Sequence, residues 1–75
     1  MSASKRQEML NKALGLAEMS RKETESIMNA FSYKFQISEF QKIDPDLAKL
    51  YSGIFDAVLE ANDKLIEYVN KKLLD

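Results

Sequence analysis

The sequence contains neither cysteine nor histidine. Those two absences exclude a disulfide framework, a thiol nucleophile, an imidazole base and a zinc site of the usual kind. Proline occurs once and glycine twice, and neither glycine lies in a Gly-rich loop that would cradle a phosphate. Charge of one sign is also lacking: 11 basic and 12 acidic residues leave a net charge of -1. A chain devoted to nucleic acid usually carries a basic excess. The longest uninterrupted apolar run is three residues, against the roughly 20 that a bilayer span needs. No signal-peptide core follows the first Lys and Arg, so a cytoplasmic location without membrane insertion is expected. What is present is 45% apolar and 31% charged residues in a chain of 75, the composition of one small all-helical domain.

The clearest punctuation is Asp44-Pro45-Asp46. Asp44 suits a helix cap, Pro45 the first helical position, and Asp46 the positive pole of the helix dipole, so a helix is predicted over about 45–73. Two apolar seams run along it with alternating spacings of three and four. The first is Leu47, Tyr51, Ile54, Val58, Ala61, Leu65 and Tyr68; the second is Phe55, Leu59, Asn62, Ile66, Val69 and Leu73. Together they span an apolar arc of roughly 200°, wider than one neighbouring helix covers, so contacts with two or more helices are expected. Asp56, Glu60, Asp63, Lys64, Glu67 and Lys71 form the solvated back.

Upstream, Ser20 followed by Glu23 reads as a capping box and predicts a second helix over about 21–39. Its core stripe is expected to be Thr24, Ile27, Met28, Phe31 and Phe35. A first helix, about 4–18, is expected to bury Met9, Leu10, Ala13, Leu14, Leu16 and Ala17, with Gly15 opposite. The predicted fold is therefore all-α: a helical hairpin plus a long C-terminal amphipathic helix, associating as an oligomeric helical bundle. Below about 80 residues one core supplies little stability, and with disulfides and metals excluded, association is the remaining source.

Two short stretches carry partial resemblances. Met19-Ser20-Arg21-Lys22-Glu23-Thr24, leading to Ala30-Phe31, is similar to the opening helix-turn-helix of the HU and integration host factor nucleoid proteins. That resemblance implies a following sheet with long basic arms, whereas this chain runs into Asp44-Pro45 and a heptad helix. Asp44, Leu47-Ala48 and Tyr51-Ser52 resemble part of the Hha-type modulators, small helical proteins that join a larger nucleoid protein. That family's Asp-His-Arg segment and terminal Trp are absent here.

The first functional expectation is a non-enzymatic protein-protein interaction module, a self-associating regulator, inhibitor or adaptor. Its oligomer seam is expected at Leu47, Tyr51, Ile54, Phe55, Val58, Leu59, Leu65, Ile66 and Val69, and its partner-binding stripe at Tyr33, Ile37 and Phe40. The alternative is a nucleic-acid-binding protein using Lys5, Arg6, Lys12, Arg21 and Lys22, because residues 1–22 carry five basic and two acidic groups. Residues 23–47 reverse that balance, with two basic and five acidic. No cofactor or metal is expected. Glu60, Asp63 and Glu67 share a face, but Lys64 sits among them and no Asp-rich loop with a central Gly is present.

Overall fold

The computed structural model describes the backbone of residues 2–74 and the side chains of residues 5–74. Three helices follow one another: α1 (Ser2–Asn29), α2 (Phe31–Ile43) and α3 (Pro45–Leu74). No strand occurs among the described residues. The molecule is a long, narrow hairpin, 57 × 19 × 15 Å. One arm is α1 continued by α2, and the other is α3, which packs mainly against α1 and, near its start, against α2.

The α2–α3 connection is a single residue. The Asp44 N–H donates to the Phe40 carbonyl at 2.7 Å, closing α2. Its carboxylate Oδ1 accepts the Leu47 N–H at 3.2 Å and its carbonyl accepts the Ala48 N–H at 3.2 Å, opening α3. One side chain thus caps a helix whose first residue, Pro45, has no N–H to satisfy, as the sequence predicts.

The first two helices differ from expectation. The capping box at Ser20 and Glu23 starts nothing, and α1 runs unbroken to Asn29. The inner phase of Leu10, Ala13, Leu14 and Ala17 carries on through Ser20, Thr24 and Met28 without a shift, so no new helix is called for. Ser20 serves a tertiary purpose instead: its Oγ accepts Asn62 Nδ2–H from α3 at 2.9 Å, and its carbonyl accepts the Thr24 hydroxyl at 2.8 Å. The buried Thr24 is thereby satisfied.

The break comes instead at Ala30, whose backbone is extended (φ -70°, ψ 142°) and which offers no side-chain cap. Its effect is on phase. Had α1 continued regularly, the inner positions after Met28 would be Phe31 or Ser32, then Phe35, Ser38 and Lys42. One non-helical residue advances the phase so that Tyr33, Ile37 and Phe40 turn toward α3 instead. A polar end to the inner face is exchanged for an apolar, aromatic one. This reverses the stripe expected for α2: Phe31 and Phe35 lie outside, 83% and 54% exposed. They stack on each other with centroids 6.2 Å apart.

Between the arms the packed residues are small or half-buried. Ala17, Ala48 and Val69 are buried, Val69 most completely at 1% exposure, flanked by half-buried Leu10, Leu14, Leu59 and Ile66. Opposed positions follow Ser20 with Asn62, Arg21 with Asp63 (3.4 Å) and Tyr33 with Tyr51, which fixes an antiparallel register along the hairpin. Residues 2–8 consequently run past the end of α3.

Candidate interaction face

The predicted oligomer seam divides in two. Phe55, Leu59, Ile66 and Val69, joined by Tyr51, face the other arm and form the hairpin's own interior. Leu47, Ile54, Val58 and Leu65 do not: all four are exposed, with Ile54 at 59% and Leu65 at 41%. Two adjacent seams of similar hydrophobicity lie on α3, and the hairpin consumes one. The open one continues through Ala61 to Tyr68, about 32 Å of helix at 1.5 Å per residue.

A matching stripe lies on α1. Met9 and Leu16, expected inside, are exposed, and Ile27 is half exposed on the same line. At 100° per residue this stripe is turned about 90° from the inner direction of α1 at Ala17. The open seam of α3 is turned by about 100° in the same rotational sense from its inner direction at Phe55. For two antiparallel helices, equal rotations in one sense carry both stripes to the same side of the plane through their axes. The hairpin therefore has one apolar face built by both arms and one charged face.

The charged face holds the residues expected there. Asp56, Glu60, Asp63, Lys64, Glu67 and Lys71 are exposed, and Lys64 pairs with Glu60 at 3.3 Å. Arg21 bridges Glu25 at 3.0 Å and Asp63 at 3.4 Å. These are exposed pairs of the kind that contributes little to stability. No group of three or more acidic residues able to hold a metal ion is found among the described residues.

At the closed end, Tyr33, Phe40, Tyr51 and Phe55 form a ring cluster. Tyr33 meets Tyr51 at 6.1 Å and Phe55 edge-on at 5.0 Å, while Phe40 meets Tyr51 edge-on at 5.4 Å. Edge-to-face and offset pairs at these separations are attractive beyond their buried area. The stripe expected to bind a partner, Tyr33, Ile37 and Phe40, is thus turned to α3, where its rings already have neighbours. The Tyr33 phenol is held above its ordinary pKa, first by loss of hydration, then by the Asp56 carboxylate and Tyr51.

Lys5, Arg6, Lys12, Arg21 and Lys22 are exposed on α1 but do not form one stripe. Arg21 is half a revolution from Lys12 at about 100° per residue, and it is occupied by two carboxylates. At the open end Lys5, Arg6, Met9, Leu10 and Ala13 line a shallow depression on α1.

Sequence reading placed the open seam of α3 correctly as apolar but missed its counterpart on α1. The signal was present, since Met9, Leu16 and Ile27 keep a constant phase, but an expected helix boundary at about residue 20 cut the stripe in two. The chain matches no protein-family model, no curated protein and no solved structure.

Proposed function

We propose that this chain is a small non-enzymatic protein-protein interaction module, a self-associating helical regulator, inhibitor or adaptor, and that it acts through the apolar face shared by α1 and α3. The single observation that carries this reading is the open seam: Leu47, Ile54, Val58 and Leu65 are exposed in line on one helix. Contiguous apolar surface of that kind on a small chain marks an association site. The scattered placement of the five basic residues of α1 gives the nucleic-acid reading no comparable support.

The experiment compares the immobilised chain with its Leu65→Asp variant in extract of the native host, with a parallel salt series on duplex DNA. Protein retained by the parent chain, insensitive to salt and lost in the variant, is the expected result. DNA retention that falls steeply with salt, alike in both chains, would replace this reading with phosphate binding.

A further inference from the structure

We infer that the occupant of the apolar face is a second copy of this chain, lying antiparallel to the first, so that two hairpins complete a four-helix bundle with its two-fold axis beside Ala61. This rests on the interaction reading above and names its partner.

The first support is area. The chain exposes 6045 Å², whereas a compact folded monomer of 8.6 kDa exposes about 4,700 Å². Its radius of gyration, 16.8 Å, compares with about 11 Å for a compact chain of this length. The surplus, about 1,300 Å², exceeds the roughly 800 Å² per partner of a standard stable interface.

The second support is the internal symmetry of the face. About the small Ala61, the seam of α3 places Val58 and Leu65 at near-equal distances on either side, then Ile54 and Tyr68. An antiparallel α3–α3 contact therefore pairs Val58 with the other copy's Leu65, and Ile54 with its Tyr68, around a small residue at the axis. On α1, Leu16 and Ile27 are symmetric about positions 21–22. The observed register sets Ser20 and Arg21 across from Asn62 and Asp63, so positions 21–22 lie level with Ala61. Both helices thus give the same height for one axis. A two-fold axis crossing the hairpin at that height stacks α1 on α1 and α3 on α3, each pair antiparallel, as an isologous dimer requires.

The third support is charge. Residues 1–20 and 62–75 carry six basic and five acidic groups, whereas residues 21–61 carry five basic and seven acidic. An antiparallel pair sets +1 against -2 at each end; a parallel pair would set like charges together.

The test uses the purified full chain, whose lack of cysteine makes each introduced thiol unique. Sedimentation equilibrium is expected to give twice 8.6 kDa at micromolar concentration. Ala61→Cys is expected to form a cross-linked dimer on mild oxidation or with a short thiol-to-thiol linker, while Ala57→Cys, one turn from the axis so that its two copies lie about 12 Å apart along the helices, is not. Spin labels at Gln41→Cys, near the closed end, are expected more than about 40 Å apart, since that residue lies some 19 helical positions from the axis. Leu65→Asp is expected to raise the dimer dissociation constant at least about tenfold, with helicity by circular dichroism retained.

A mass of 8.6 kDa up to about 100 μM overturns the inference. So does a dimer whose Gln41 labels lie within about 25 Å, the parallel arrangement, in which stacked helices are some 10 Å apart. Equal cross-linking of the Ala61→Cys and Ala57→Cys variants does the same. A monomer that still captures a host protein through the seam would defeat this inference while leaving the interaction reading intact; an antiparallel dimer that captures nothing would do the reverse.

Discussion

Replacing Tyr33 and Phe40 together by serine separates the interior of the hairpin from its surface. Both rings are half-buried against α3, so each removes from water roughly half of the 150–250 Å² an aromatic side chain can bury, or about 100 Å². At about 25 cal/mol per Å² that is some 2.5 kcal/mol per ring, an upper figure because the unfolded chain is itself partly compact. Three ring pairs are lost as well, Tyr33 with Tyr51, Tyr33 with Phe55 and Phe40 with Tyr51, each contributing about 0.5–1.5 kcal/mol beyond area. With the area part reduced for that compactness, a destabilisation of about 5–9 kcal/mol follows, as large as the whole stability of a chain this small. The companion variant, Phe31→Ser with Phe35→Ser, loses one stacked pair and the smaller covered area of two rings that are 83% and 54% exposed, and is expected to cost about half as much. Urea titrations followed by circular dichroism at one fixed protein concentration measure both. If the Tyr33/Phe40 variant unfolds at the same urea concentration as the parent, or the Phe31/Phe35 variant proves the weaker of the two, the phase assigned to α2 is wrong.

Three further outcomes follow from the same geometry. Val69→Asp buries a carboxylate at the least exposed position and is expected to abolish folding, whereas Ile54→Asp, on the open seam, should keep its helicity by circular dichroism and lose only association. Gly15→Ala and Gly53→Ala place a methyl in open space on a helix and should each stabilise by about 0.5–1 kcal/mol, read as a raised melting temperature. The raised pKa of Tyr33 favours the protonated folded state, so its contribution is intact below about pH 10, the unfolded phenol's value, and is lost as pH rises above that. Tyr33→Phe should remove that part of the alkaline loss of stability in urea titrations between pH 9 and about 11.5.

Local chemistry in the sequence read well where one residue decides a structure. Asp44 and Pro45 end one helix and begin the next by their own hydrogen bonds, and α3 follows within a residue of its expected end. Two things were not legible, and both depend on residues far apart in the chain. Periodicity alone could not tell which seam of α3 faces inward, because Phe55 and Val69 differ from Ile54 and Leu65 only in what lies opposite. Nor could it find the break at Ala30, a good helix former without a capping side chain, because the gain there comes from Tyr33 and Phe40 reaching Tyr51. The capping box at Ser20 and Glu23 misled for the complementary reason: a motif able to start a helix does not do so where the chain is already helical on both sides.

The single-residue link at Asp44 also bears on how the chain folds in time. Tyr33 and Tyr51 are separated by a short stretch of sequence, whereas Ser20 and Asn62 lie 42 positions apart. Loop closure costs about 0.6 kcal/mol more for each doubling of length, and the aromatic contacts lie where that cost is lowest. Folding is therefore expected to nucleate at the closed end and zip toward the termini, with Asn62 and Val69 joining late. Amide hydrogens near Tyr51 should then exchange most slowly, and those of the first two turns of α1, which have no helix beside them, most rapidly.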